Sequence, residues 1–340
     1  MFIISAGGFI FLPFQPHPRG QDKGGVNMIS RAATWIKAKL PYIIMVAMVL
    51  GLLNGYYNQV DYLKAFITPV LFLMIYPMMI NLDIEEVFEH LSNPKPLLWS
   101  LGINFIISPL IAYLLSKLFL TNNPELMIGL ILISVIPTSG MTASWTGLAK
   151  GNMNSALVMI SGNLLVAILL IPLYLNLLLG KMVAIKTIMI VKSLIKVVVV
   201  PLILGDLTRR WIINKYGEDT FVDIKPDFGG ASSLGVALIV FIALSLKSKT
   251  ILADLHLVLI ALLPLGIYYL LMLFFSANIG CKCLDEDNKI ALVYGTEMRN
   301  LTVALGLALS TFGGLAVFLI SLAYVIQVPS GAFYMHYVKQ

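Results

Sequence analysis

The sequence predicts an all-α polytopic membrane protein: ten transmembrane helices in two inverted five-helix repeats, with the fourth and ninth helices broken. Three observations carry this expectation. Of 340 residues, 59% are hydrophobic and 12% charged, the latter about half the share in ordinary soluble domains, and the mean hydropathy is +0.91. Ten apolar stretches, each of about 17–25 residues, match a hydrocarbon core about 30 Å thick, and one long polar linker divides them five and five. The fourth and ninth stretches carry a Pro–Gly break and a charged break, which a continuous lipid-facing helix would not tolerate.

The elements follow in chain order. Residues 1–35 read as a disordered leader: "FIISAGGFIFLPF" has no charge ahead of its apolar run, and "QPHPRGQDKGG" is loop-like, so the grammar of a signal peptide is missing. Residues 36–180 form the first repeat, with crossings at 40–57, 64–81, 97–119, 125–149 and 154–179. Residues 181–228 hold the sixth crossing, 185–207, and the polar linker "TRRWIINKYGEDTFVDIKPDFGG". Residues 229–340 complete the second repeat with crossings at 229–247, 256–279, 289–311 and 314–336. An odd number of crossings per half inverts one half relative to the other, which is a transporter architecture.

Charge sets the orientation. With the N-terminus inside, fourteen Lys and Arg fall on cytoplasmic segments: Arg19, Lys23, Arg31, Lys37, Lys39, Lys95, Lys150, Arg209, Arg210, Lys215, Lys225, Lys282, Lys289 and Lys339. Six fall outside: Lys64, Lys117, Lys181, Lys186, Lys247 and Lys249. The asymmetry predicts both termini in the cytoplasm of a cell-membrane protein. The net charge of +6 therefore reports topology and not a nucleic-acid partner, because the cations sit at segment ends and not on one aromatic-rich face. Cys281 and Cys283, one residue apart, suit neither a disulfide framework nor a four-ligand metal set.

In "LMIGLILISVIPTSGMTASWTGLAKGN" about eleven apolar residues precede Pro137, which cannot donate to the carbonyl of Ile133 and opens the helix. Gly140 then frees the backbone, and Thr138, Ser139, Thr142, Ser144 and Thr146 supply hydroxyls. The equivalent crossing of the second half is interrupted by Gly295, Thr296, Glu297, Met298, Arg299 and Asn300. Unwound backbone at membrane depth lines a cavity or lies buried in protein, where freed carbonyls and half-helix ends make ion and solute sites. A plain proline kink with back-bonded hydroxyls is the bland alternative. Two breaks in equivalent places favour the site.

Glu297 and Arg299 are each expensive at mid-membrane, by roughly 2.5–3.5 kcal/mol on insertion scales. Two residues apart, they would not meet on a regular helix but could pair in an unwound segment. A structural ion pair is the competing account. Lys192 and Lys196 share a stripe of the sixth crossing: they either snorkel to headgroups, or Lys196 reaches an anionic solute. A channel is the alternative architecture built on broken helices. "PTSG" also looks like an intramembrane serine protease loop with Ser139 as nucleophile, but His17, His90, His256 and His336 lie in the leader, a loop or near helix ends, away from the reach a general base needs. No phosphate-binding Gly-rich loop is present.

Several stretches resemble the bile acid:sodium symporter superfamily, and within it the arsenite-efflux transporters: "YPMMINLDIEEV" (76–87), "NPKPLLWSLGINFIISPLIAYLL" (93–115), "SGMTASWTGLAKGNMNSALVMISGN" (139–163) and "LALSTFGGLAVFLISLAYVIQVP" (307–329). The similarity spans about 40–335. It implies that the broken fourth and ninth helices cross, and that a core of helices 3–5 and 8–10 moves against a panel of helices 1, 2, 6 and 7. Trp145, Leu148, Ala149, Lys150 and Gly151 fall on the arsenite-efflux pattern, Asn163 on its fifth-helix asparagine and Asn104 on the third-helix amide. Thr138 stands where that pattern has cysteine, and Thr302 where it has glutamate. Gly295 stands where the symporter branch has glutamate, with Glu297 two positions later and Arg299 in place of glutamine.

The expected function is secondary active transport of a small anionic solute or arsenite-like oxyanion, coupled to sodium or protons, by a non-enzyme whose other partner is the lipid bilayer. The expected solute site is Thr138, Ser139, Thr142, Asn163, Glu297, Arg299, Asn300 and Lys196. Sodium is the one candidate ion, with Asn104, Thr142, Glu297, Met298 and Asn300 as its ligands. No catalytic residue, metal centre or other cofactor is expected.

Overall fold

The computed structural model describes residues 2–5, 8–11, 28–82, 94–179, 187–253 and 256–338. Lys181, Lys186, Arg19, Lys23, Lys339, His17, His90 and residues 83–87 of the first resemblance stretch lie outside the described residues. Within the expected leader, Phe2–Ser5 (β1) pairs antiparallel with Gly8–Phe11 (β2), Phe2 opposite Phe11. Helix α1, Met28–Ala38, also begins before residue 36. Regular structure thus starts earlier than the expected leader boundary.

Helix α2 is Leu40–Tyr57, entered through Pro41, whose missing N–H costs nothing in a first turn. Its Gly51 and Gly55 face α9, Glu218–Ala253. A Cβ at these positions would lie 2.7 Å from the Phe241 carbonyl oxygen and 1.9 Å from that of Ser245, so the backbones approach as closely as small residues four apart allow. Helix α3 spans Asp61–Ile80, and α4 spans Lys95–Phe119 with a π-helical turn at Ile103–Ile107. Pro109 cannot donate to Phe105, and the Tyr174 hydroxyl bonds that carbonyl instead. The broken fourth crossing is α5, Pro124–Val135, and α6, Met141–Leu148. Helix α7 is Met153–Leu179.

Helix α8 runs from Thr187–Leu194 through a second π turn, Ile195–Val199, into Val200–Tyr216. The expected polar linker is corrected here, because it is helix on both sides of Gly217, whose φ of +87° makes the turn into α9. The physical reason is an apolar face hidden among its charges: Ile212 and Phe221 are buried with Ile80. Helix α10 is His256–Cys283, the broken ninth crossing is α11, Glu286–Glu297, and α12, Leu301–Thr311, and α13 is Gly314–Val338.

Among the described residues, seven helices (α2, α3, α4, α7, α9, α10 and α13) are long and apolar enough to cross a membrane. Helices α1, α2, α3, α8 and α9 pack on one another, and α4–α7 pack with α10–α13. Ser232 Oγ donates to the Met74 carbonyl at 2.6 Å and Asn54 Nδ2 to Ser245 Oγ at 3.2 Å, tying the first group together. Helix α5 is buried all round from Leu126 to Val135, as a half-helix inside a bundle must be.

Candidate functional site

The two breaks meet. Ile136 is extended at the end of α5 (ψ 147°), as the residue before a proline prefers, and Thr138 forms an antiparallel bridge with Arg299. The Ser139 amide donates to the Met298 carbonyl at 2.7 Å, and the Asn300 amide to that of Pro137 at 2.9 Å. Each break thereby satisfies backbone groups that the other leaves open, which an apolar surrounding demands. Asn300 also starts α12, its side chain accepting from the Val303 amide.

Hydroxyls and amides take the remaining carbonyls. Thr138 Oγ1 donates to the Gly295 carbonyl at 2.7 Å and Thr142 Oγ1 to that of Tyr294 at 3.1 Å. Asn104, in the π turn of α4, donates to Asn163 Oδ1 at 2.9 Å and to the Gly295 carbonyl at 3.1 Å. Asn163 in turn donates to Ser100 Oγ at 2.6 Å and to the Met159 carbonyl at 2.7 Å. A π turn of this kind often marks a functional position. The second break is narrower than expected: α11 stays helical through Glu297, so Gly295 does not unwind. Its missing side chain serves packing, since a Cβ there would sit 3.0 Å from Met159 Sδ.

Glu297 and Arg299, 0% and 1% exposed, do not form the expected contact pair. Glu297 closes α11 and accepts from Ser330 Oγ at 2.9 Å, whereas Arg299, in the extended bridge, donates from Nη1 to the Ile136 carbonyl at 3.3 Å. The change from helix to bridge between them aims the two side chains at different helices. Gln327 of α13 holds the Arg299 backbone on both sides: its Oε1 accepts from the Arg299 amide at 3.0 Å and its Nε2 donates to the Arg299 carbonyl at 3.3 Å. The Tyr269 hydroxyl donates to the same Oε1 at 3.0 Å.

Among the described residues, Asn104 Oδ1, Glu297 Oε1, Arg299 Nε and Nη2, and Thr146 Oγ1 are buried without partners. Such groups are costly unless a solute or ion completes them. Of the expected sodium set, Asn104 Oδ1 and Glu297 Oε1 are open to a hard cation. Thr142 Oγ1 donates to the Tyr294 carbonyl, and the Met298 carbonyl and Asn300 Oδ1 each accept one amide, so all three keep lone pairs. The Arg299 charge in the same crossing opposes a cation there.

Thr138, Ser139, Thr142, Asn104, Asn163, Glu297, Met298, Arg299 and Asn300 are therefore brought together. Lys196 is not: it is exposed in the π turn of α8, whose Val197 packs toward Gly306 of α12. Thr302, in the first turn of α12, shares a 2.9 Å hydrogen bond with the Tyr324 hydroxyl. Gln327, Ser330 and Tyr324 went unnoticed in the sequence, although a buried amide in the apolar "AYVIQVPSG" was a signal.

Long apolar helices with two interrupted ones joined at a buried, charged crossing define a polytopic integral membrane protein. The model of the Sodium Bile acid symporter family matches residues 68–254, more than half the chain, and the chain belongs to that family as a transmembrane transporter. It is similar to "Arsenical-resistance protein Acr3" of Alkaliphilus metalliredigens (strain QYMF), 24% identical over 330 residues covering 90% of each chain. It is also similar to "Uncharacterized protein YbaS" of Bacillus subtilis (strain 168), 31% identical over 176 residues, 50% of this chain and 55% of that one. A third relative is "Probable sodium/metabolite cotransporter BASS2, chloroplastic" of Oryza sativa subsp. japonica, 28% identical over 198 residues, 56% of this chain and 45% of that one.

Proposed function

We propose that this chain is a secondary active transporter of a small organic anion, working by alternating access around the Thr138–Arg299 crossing. The ten crossings form two inverted repeats in the cell membrane with both termini cytoplasmic, and α4–α7 with α10–α13 move as a core against α1, α2, α3, α8 and α9. The observation that carries the reading is Arg299: a buried guanidinium at the meeting of two helix breaks, with Nε and Nη2 unpartnered. A charge held there is expensive unless a counter-charge visits it. Its guanidinium supplies at the crossing the positive charge that the family resemblance assigns to a cation.

A second reading, arsenite-like oxyanion efflux, draws on the arsenical-resistance relative that aligns over 90% of the chain. Thr138 stands in that pattern's cysteine position. Flux in proteoliposomes, screened over carboxylates and metalloids with and without a sodium gradient, separates the readings. The expected result is saturable carboxylate uptake that falls about tenfold or more in Arg299→Gln while the variant remains folded. Flux that does not saturate would make the protein a channel. Arsenite transport unchanged by Thr138→Cys, with no carboxylate transport, would replace the anion reading with the second.

A further inference from the structure

Helix α8 buries one face and exposes the other. Leu194, Val197, Val198, Pro201 and Leu202 are buried, where the helix packs on α3, α7 and α12. On the other side Ile188, Ile195, Val200, Ile203 and Leu207 are exposed. An exposed apolar stripe of this length on a helix of a membrane protein is a face for lipid chains.

Lys192 and Lys196 are exposed on the same stripe. They follow Thr187, the first residue of α8, by five and nine positions, which is about 7.5 Å and 13.5 Å along a helix axis. Among the described residues, no carboxylate lies within ion-pair distance of either ammonium, and the sequence has no Asp or Glu between Thr187 and Gly205. Two unanswered charges on an apolar face are costly, and one turn apart they also repel each other. The counter-charge therefore comes from outside the chain. It does not come from a solute at the crossing, because the face of α8 turned to α7 and α12 is the buried one and the lysines lie on the other.

Side chains on a helix lean toward its N-terminus, so both lysines lean toward the Thr187 end, with their methylene stems along the stripe. Their ammonium groups then meet the phosphate layer of the leaflet at that end. A zwitterionic headgroup brings its own cation to such a pair, whereas an anionic one brings net negative charge and oxygens for charge-assisted hydrogen bonds.

We propose that Lys192 and Lys196 form a binding site for the phosphate of an anionic phospholipid, whose acyl chains lie along Ile195, Val200 and Ile203. The site is independent of what the crossing carries and is measured without transport.

The test uses the full chain in a nonionic detergent, mixed with equal amounts of dioleoyl phosphatidylglycerol and dioleoyl phosphatidylcholine, with native mass spectrometry counting the lipids retained. The wild type should retain phosphatidylglycerol in preference to phosphatidylcholine by about tenfold or more, the scale set by two cations at a headgroup. Lys192→Gln with Lys196→Gln should cut that preference about tenfold, with an unchanged thermal melt in micelles holding phosphatidylcholine alone. Lys192→Arg with Lys196→Arg should keep it, since the guanidinium also pairs with phosphate. The proposal is overturned if the wild type retains the two lipids alike, or if the double Gln variant retains phosphatidylglycerol as the wild type does. It is equally overturned if Lys215→Gln with Lys225→Gln, outside the sixth crossing, lowers the preference as much, or if excess glycerol 3-phosphate displaces the lipid, which would assign the pair to a soluble phosphate.

Discussion

Gln327→Leu tests whether the crossing is held from α13. The side chain makes three hydrogen bonds, accepting from the Arg299 amide and the Tyr269 hydroxyl and donating to the Arg299 carbonyl. The two backbone groups keep a second partner, because the Arg299 amide also reaches the Glu297 carbonyl at 3.0 Å and the Arg299 carbonyl receives the Leu301 amide at 2.9 Å. Their losses are therefore small, about 0.6 kcal/mol each by the average for interhelical bonds in membranes. The buried Tyr269 hydroxyl, by contrast, is stranded, at about 1–3 kcal/mol. The sum is roughly 2–4 kcal/mol. Unfolding free energies in mixed detergent micelles read it, and Tyr269→Phe supplies the control. Tyr269→Phe alone should cost about 0.6 kcal/mol, and the double variant should lose about 1–3 kcal/mol less than the sum of the singles, because no hydroxyl remains to be stranded. A loss below about 0.5 kcal/mol in Gln327→Leu, or strict additivity in the double variant, would refute the reasoning.

Asp285 caps α11 by accepting from the Asn288 amide at 3.0 Å, so Asp285→Ala should cost about 0.5–2 kcal/mol at neutral pH. The hydrogen bonds from Asn288 hold the Asp285 carboxyl below its ordinary value, so the wild-type advantage is present above an unfolded pKa of about 3.9 and is lost as pH falls through the lower folded value. A variant whose deficit is the same at pH 3 as at pH 7 would show that the cap works without its charge. Glu125 at the start of α5 meets Lys247 of α9 at 3.5 Å, with each side chain about one-third exposed (35% and 33%). A double-mutant cycle of Glu125→Gln and Lys247→Gln should give a coupling of about 0.5–1 kcal/mol that shrinks with added salt; zero coupling at low salt would mean that the pair does not hold the two groups of helices together.

Backbone chemistry made the breaks readable. Pro137 lacks a donor wherever it stands, and Arg299 is expensive in any apolar segment, so both positions announced themselves without knowledge of their neighbours. Helix α2 likewise lies at Leu40–Tyr57, the span its apolar run predicts. What stayed hidden depends on partners distant in sequence. The linker looked like a loop because its charges mask Ile212 and Phe221, and only their burial against Ile80 shows an amphipathic helix. The Glu297–Arg299 pairing looked plausible from spacing, but it depended on where the helix ended. Lys196 fitted an anion-binding role by its position in the chain, whereas the structure leaves it exposed in the π turn of α8, away from the crossing.

The crossing is better described as one object than as two kinks. A helix end leaves up to four amides or four carbonyls without intrahelical partners, and at membrane depth water is not there to take them. Here the open groups of α5 and α6 are taken by the segment between α11 and α12, and the reverse holds through Asn300, Thr138, Thr142 and Arg299. Separating the two pairs of half-helices would expose all of these groups at once. Conformational change is therefore cheapest where few such bonds cross. Between the two groups of helices, the described contacts include the partly exposed Glu125–Lys247 pair and the packing of α2 and α9 against α13. On the alternating-access proposal, a solute held at the crossing would travel with it, and the surfaces that slide would include those of α3 and α8 against α7 and α12 as well as those of α2 and α9.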